Sequence, residues 1–323
     1  MKRPIISAAI AAGFMLATAL PAMAEWPADK PIRVVVGFGA GGGTDIVARI
    51  VAAPLSDLLK QAVVVENKPG AGGAIAGEQV AKADKDGYTA SMISAGHTVS
   101  AVMVKAVRYD AVKDFTAVAL VADSAFVVVA RKDFPANDIK GLVALAKASP
   151  GKLNLASVGL GSTQHFAGEL LSQVTDIDVK HIPYRGTPAV VTALLAKDVD
   201  YAVELLHAVR GQVDAGELKL LAVASPARWP AIPNVPTVAE SGVPGYAVVG
   251  WYGLVYPAGT PQAIVDKTYA ALKEVLARPE VKEQLARAGA VAHLSTPAEF
   301  GKHIADEVAK WKAVRDKARL EPQ

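Results

Sequence analysis

The sequence contains no cysteine. That single absence excludes thiolate catalysis, disulfide staples and cysteine-ligated zinc, and it suits an exported protein that folds without oxidative help. An excess of charge is missing as well. Removing Lys2 and Arg3, which lie in a leader described next, from the 34 basic residues leaves 32 against 31 acidic ones. A chain so nearly neutral offers no basic face to a phosphate backbone, so nucleic acid is not an expected partner. Long apolar runs are also lacking after the first two dozen residues, and no later segment reads as membrane-spanning.

The leader itself is informative. Lys2-Arg3, the apolar stretch Ile5 to Leu20, then Pro21 and Ala22-Met23-Ala24 follow the order of a secretory signal: basic, apolar, small-x-small. Residues 1–24 are expected to be cleaved, so that the mature protein begins at Glu25 and resides in the periplasm. An uncleaved anchor is the competing reading, because Pro4 to Met23 is just long enough to span a bilayer. The small residues and the helix-breaking proline favour processing.

Beyond the leader, short β-branched runs alternate with helical patterns. Ile32 to Val36, Ala62 to Glu66 and Tyr88 to Ser94 read as strands, separated by helices over Thr44 to Lys60 and Ala74 to Ala83. A second series has strands at Phe126 to Arg131, Leu153 to Ser157, Val179 to Tyr184 and Tyr201 to Glu204, with helices over Asp138 to Ala148, Thr163 to Val174 and Pro188 to Lys197. This alternation predicts an α/β fold with parallel layers, each series forming its own sheet. Pro54 is expected to kink the first helix. Pro226 to Pro244 is too proline-rich for a strand or helix and is taken as a connection between lobes. The tail from Thr260 is helical and amphipathic, with Thr296-Pro-Ala-Glu299 as a capping box, and is expected on the first lobe. The predicted division is 25–125 with 225–323 as a discontinuous first lobe, and 126–224 as the second.

Candidate binding residues fall where strands run into glycine and then into helices. The first loop, Gly37 to Asp45, contributes Phe38, Gly39, Ala40, Gly41, Gly42, Thr44 and Asp45. Glycine lets backbone N–H groups approach a ligand and lets φ turn positive, and the helix start behind it attracts anions. Gly42 is expected to need both freedoms. The second loop contributes Ser157, Gly159, Ser162, Thr163 and His165, with Ser162 placed to cap its helix or donate its hydroxyl. The third contributes Tyr184, Arg185, Gly186 and Thr187, where Arg185 has the fork geometry for a carboxylate. Because the carboxyl ends of strands face the crevice in open α/β sheets, all three loops are expected to open on one cleft. Ser94 and His97, after the third strand, and Glu204, at a strand end, complete the candidate set. The bland readings are tight turns for the loops, a backbone bond for His97, and a lobe-closing hydrogen bond for Glu204. His181 and Tyr88 read as structural, and Trp251 and Tyr252 as core.

Two other chemistries are weighed. Gly37-x-Gly39-x-x-Gly42, followed by Glu66, approaches a dinucleotide fingerprint, but nicotinamide cofactors are not supplied outside the membrane. No cofactor and no metal are therefore expected. Ser162 and His165 lie three apart on one helix face and could suggest a hydrolase, yet there is no G-x-S-x-G elbow and no third member. The expectation is a binding protein, not an enzyme.

Segments spread along the chain carry a resemblance: Pro31-Ile32-Arg33-Val34-Val35-Val36, Gly41-Gly42-Gly43-Thr44-Asp45, Val64 to Gly73 (VVENKPGAGG), Asp86-Gly87-Tyr88-Thr89, His181 to Gly186 (HIPYRG), Pro233 to Glu240 (PNVPTVAE) and Pro257-Ala258-Gly259-Thr260-Pro261. In this order they resemble the Bug family, the extracytoplasmic solute receptors of tripartite tricarboxylate transporters. The resemblance implies a two-lobed, type II periplasmic-binding-protein fold with two interlobe crossovers and a ligand cleft between the lobes. It also implies a carboxylate gripped by the first and second loops through backbone amides, hydroxyls and waters, delivered by a monomeric receptor to an integral-membrane permease. A ligand-loaded input to a membrane sensor is the alternative role. The chain departs from the family at Gly37, Gly39 and Ala40, where many members carry proline, and at Val203 to His207, where the usual aromatic-acidic stretch of the distal pocket wall is replaced.

Overall fold

The computed structural model describes residues 26–322; the expected leader, and with it the cleavage point, lies outside them. The first unit opens with strand β1 (Ile32–Val36), helix α1 (Gly43–Leu59), β2 (Val63–Asn67), α2 (Ala74–Ala81), β3 (Thr89–Ser94) and α3 (Ala95–Met103). Strand β1 pairs in parallel with β2 on one side and β3 on the other. Its apolar residues are buried on both faces, which is why IRVVV does not alternate with polar residues. Helix α3 was not legible in the sequence: AGHTVSAVM holds a glycine and β-branched residues, and packing rather than propensity makes it helical.

The chain then enters β4 (Phe115–Arg131), a strand of 17 residues. Its first part pairs antiparallel with β9 (Val249–Pro257) and with β10 (Ala290–Ala292). Its last part, from Phe126, pairs with β7 (Tyr201–Leu205) and β8 (Leu218–Val223). One strand thus leaves the first sheet and enters the second, and the expected lobe division at 125/126 falls inside it. Between lie α4 (Ile139–Ala148), β5 (Asn154–Ser157), α5 (Thr163–Thr175), β6 (Lys180–Pro183), α6 (Thr187–Ala196) and α7 (Leu206–Asp214). Strand β5 runs parallel to both β6 and β7. The full order is β2-β1-β3-β9-β4-β7-β5-β6, with β8 and β10 attached to β4. The return crossing follows β8: Ala224 N–H donates to the Phe126 carbonyl and Val248 N–H to the Ala224 carbonyl before β9 begins.

Helices α8 (Gln262–Ala277), α9 (Pro279–Arg287) and α10 (Pro297–Ala318) end the chain. The capping box of α10 is present, Thr296 accepting from Glu299 N–H and the Glu299 carboxylate accepting from Thr296 N–H. This helix serves both sheets. Phe300 and Ile304 pack with Trp251 and Val255 of β9, while Trp311 and Val314 join Phe166, Leu171 and Leu155. The tail, expected on the first lobe, packs there at its beginning and reaches the core of the second sheet at its end. Helix α1 runs unbroken through Pro54.

Candidate functional site

Three helix starts converge on one cavity of about 660 Å³. The first is α1, whose N-cap is Gly42 with no side-chain cap, so Gly43 and Thr44 present first-turn N–H groups that no intrahelical acceptor can reach. The second is α5, where Ser162 caps by accepting from His165 N–H at 3.1 Å, leaving Thr163 and Gln164 at the cavity wall. The third is α3, entered from Ser94 with Ala95 and Gly96 at the wall. Each helix start carries a partial positive charge, and among the described residues no Asp, Glu, Lys, Arg or His borders the cavity.

Loop one is held in place from behind. The Asp45 carboxylate accepts from Gly41 N–H at 2.9 Å, from Arg49 Nε at 2.9 Å and from Asn67 Nδ2 at 3.0 Å. Asn67 also donates to the Phe38 carbonyl. Burial raises the Asp45 carboxyl, but these three donors outweigh it and hold the group below its ordinary range. Asp45 is therefore a buried brace and not a cavity residue. Gly41 has φ of +80°, whereas Gly42 has φ of −76°; the positive-φ need expected at Gly42 falls one residue earlier. The close approach falls one residue later, because a Cβ on Gly43 would lie 2.5 Å from Tyr252 Oη.

Loop two is braced by histidines. Gly161 N–H donates to His165 Nδ1 at 3.1 Å, which requires that nitrogen to carry no proton. His181 Nε2 lies 2.5 Å from Ser157 Oγ. Burial first, and His165 second, press His181 down to about 4. His181 is thus structural, as expected, and Ser157 and His165 stand behind the wall and not in it. The Ser162 hydroxyl donates to the Gly159 carbonyl at 2.8 Å. That proton is engaged with a carbonyl and not with the His165 ring, so the Ser–His hydrogen bond a hydrolase needs is not formed among the described residues.

Of the sequence-predicted residues, Phe38, Gly42, Thr44, Ser94, Ser162 and Thr163 border the cavity. Gly39, Ala40 and Gly41 lie in loop one beyond it, exposed. Gly159 turns loop two with φ of +123° and sits near the Tyr184 carbonyl. Tyr184, Arg185, Gly186 and Thr187 lie behind loop two, with Arg185 exposed, so the third loop does not border the cavity. His97 is buried, donates from Nε2 to the Ala111 carbonyl at 3.1 Å, and stacks on Tyr109. Burial presses it down to about 4, partly offset by that carbonyl.

Glu204 is not at a cleft edge but fully buried. Its carboxylate accepts from Thr187 Oγ1 at 3.2 Å, Leu205 N–H at 3.2 Å and Gln164 Nε2 at 3.5 Å. Burial pushes it up to about 7 against the pull of those neutral donors. Through Gln164 it stands one residue behind the wall.

The sequence missed the rest of the lining. Ala71 and Gly72 arrive on a glycine turn, Ser100 and Met103 on α3 with Val104 just after it, Phe126 on β4 where it passes between the sheets, Leu205 at the end of β7 and Trp251 on β9. The Gly70-Ala71-Gly72-Gly73 run was the one local signal that could have identified part of this set.

Known proteins resemble this chain over most of its length. Residues 47–320 match the tripartite tricarboxylate transporter family receptor. Protein BugT of Bordetella pertussis is 34% identical over 307 residues, spanning 94% of each chain. The solved structure of the periplasmic binding protein BugD is 36% identical, with a TM-score of 0.76 over 92% of this chain and 100% of that one. The R. palustris protein Rpa4515, solved with adipate, is 32% identical, with a TM-score of 0.80 over 93% and 100%. The two-lobed binding-protein fold is the one they share, and no helix among the described residues is long and apolar enough to cross a membrane. This chain belongs to the tripartite tricarboxylate transporter family of receptors.

Proposed function

We propose that this protein is a periplasmic receptor, released by cleavage after Ala24, that captures a small organic carboxylate between its lobes and passes it to a tripartite tricarboxylate-type permease, acting as a monomer and not as an enzyme. The observation that carries the reading is the convergence of the α1, α3 and α5 starts on a cavity that no charged side chain among the described residues borders. Such a wall matches an anion that only accepts hydrogen bonds: first-turn N–H groups and the Thr44, Ser94 and Thr163 hydroxyls supply donors, and the helix dipoles supply the charge. A relative holding adipate supports the same ligand class. The lobes are taken as 25–125 with 225–323, and 126–224, so that loop one belongs to one and loop two to the other, and closing them brings both onto a single carboxylate.

The test is a thermal-shift series of carboxylic acids against their carboxamides. An amide nitrogen placed where an oxygen accepted leaves buried N–H groups unpaired, at about 1 to 3 kcal/mol each. Affinity is therefore expected to fall by roughly tenfold to a hundredfold. Ligand at a hundred times its Kd stabilises the fold by about 2.7 kcal/mol, a shift of several degrees. Amides that shift Tm as much as the acids overturn the reading.

A further inference from the structure

The acid behind the cavity wall sits in a setting that holding a ligand does not by itself require. Glu204 is fully buried, and three helix starts of the second sheet meet on its carboxylate. Gln164, in the first turn of α5, reaches it with Nε2 at 3.5 Å; Thr187, the first residue of α6, with Oγ1 at 3.2 Å; Leu205, the N-cap of α7, with its N–H at 3.2 Å. All three donors are neutral. Of the elements packed against β7, α5 carries His165 and Glu169, α7 carries His207, Arg210 and Asp214, and β4 carries Asp123 and Arg131, while α6 and β5 carry no titratable side chain. Arg185, just before α6, is exposed. None of these charges contributes to the Glu204 carboxyl, which burial raises to about 7 against the pull of its three donors. The acid can therefore gain or lose its proton near neutral pH. Of its two side-chain donors Gln164, unlike Thr187, borders the cavity.

We propose that Glu204 is a positioning residue for the ligand: it acts through Gln164, and capture of a carboxylate takes up a proton at Glu204. This rests on the carboxylate-receptor reading above. An amide has a donor end and an acceptor end. Ionised Glu204 accepts from the Gln164 nitrogen, which draws the donor end inward, away from an incoming anion. A ligand carboxylate at the start of α5 needs the same donor and leans on the same helix end. Once protonated, Glu204 donates instead to the Gln164 carbonyl, the amide turns over, and its nitrogen faces the cavity as a donor to the ligand. Two carboxylates this near raise each other's proton affinity, and the buried one, with no cation beside it, is the one that takes the proton. Ligand and proton then each strengthen the other's binding by the same factor. Below about pH 7 the proton is already in place. Above it the ligand has to draw one from water, so affinity falls as pH rises.

Titration calorimetry with adipate, malate and benzoate, carboxylates almost fully ionised from about pH 6.5 upward, tests the coupling. The unmodified protein, titrated at about pH 7.5 in phosphate and in Tris, whose heats of ionisation differ, is expected to take up about half a proton per ligand. Its affinity is expected to fall about fivefold or more between about pH 6.5 and pH 8.5. Binding with no proton uptake overturns the proposal and leaves the receptor reading standing, whereas no binding by any of the three acids at millimolar concentration overturns both. Glu204→Gln keeps the shape and cannot titrate, so it is expected to bind equally well at both pH values; a fall as steep as the parent's assigns the proton to another group and overturns the proposal. Gln164→Met keeps the length of the side chain and removes both ends of the amide. It is expected to bind about tenfold more weakly at the lower pH and to lose most of the pH dependence; a slope equal to the parent's overturns the relay through Gln164. If Glu204→Gln fails to fold, the two-buffer titration of the unmodified protein decides alone.

Discussion

His165 and His181 lie face to face, their imidazole centroids 4.1 Å apart and their planes 13° from parallel. The stack ties the start of α5 to strand β6, and from it His165 Nδ1 accepts the Gly161 N–H that shapes loop two. His165→Phe keeps a flat ring against His181 and removes the acceptor. The unpaired amide costs about 1 to 3 kcal/mol. Carboxylate affinity is expected to fall roughly tenfold while the fold persists, and the Gly161 amide should exchange faster with deuterium. Unchanged affinity together with unchanged exchange would show that the histidine stack does not position the loop.

Gly43 and Tyr252 form a second coupled pair. Alanine at position 43 places a Cβ 2.5 Å from Tyr252 Oη but 3.4 Å from Cζ, so only the hydroxyl is in the way. Gly43→Ala alone is expected to lose about 1 to 3 kcal/mol through overpacking. Combining it with Tyr252→Phe should recover most of that loss, because the remaining contact is ordinary van der Waals distance. Urea denaturation of the four proteins in the cycle measures the coupling; additive single losses would refute it.

Glu204 makes stability depend on pH in the alkaline direction. Burial raises its folded value from 4.5 to about 7. Between those values the unfolded chain ionises while the folded one holds its proton, so the fold loses stability as pH rises from 4.5 through 7 and loses no more above. The full effect is about 3 kcal/mol. Glu204→Gln removes the slope. The variant is expected to exceed the parent in stability at about pH 8 and to match it at about pH 4, as read by denaturant midpoints. A gap of constant size across that range would mean the substitution acts through packing alone.

His97 works in the opposite sense. Burial lowers it from 6.5 to about 4, against the opposing pull of the Ala111 carbonyl. Here the unfolded chain takes up a proton first, so stability present above pH 6.5 is lost as pH falls through 4, again by about 3 kcal/mol. His97→Gln can still donate to that carbonyl but cannot titrate in this range. Its stability should be flatter than the parent's between those two pH values; an identical acid slope assigns the loss to His181 or to other groups.

Much of the order of strands and helices, α3 excepted, was fixed locally, because β-branched runs such as Ile32 to Val36 and glycine-led helix starts such as Gly42 to Asp45 carry their preferences in neighbouring residues. So were the capping box at Thr296 and the cap at Ser162, which need only a few residues. Loops one and two were legible for the same reason. What local sequence could not hold was the strand order. Among the described residues strand β6 pairs only with β5, at the end of the sheet, so the loop that follows it, with Arg185, is carried away from the cavity that loops one and two share. Long strands β4 and β9 bring Phe126 and Trp251 to the wall from positions that read only as core. Asp45 and Glu204 looked like ligands because acids at strand and helix ends often are. Their roles were decided by depth: Asp45 has Arg49 and Asn67 within hydrogen-bond reach, and Glu204 is sealed behind Gln164, partners that only pairing across long stretches of chain could bring together.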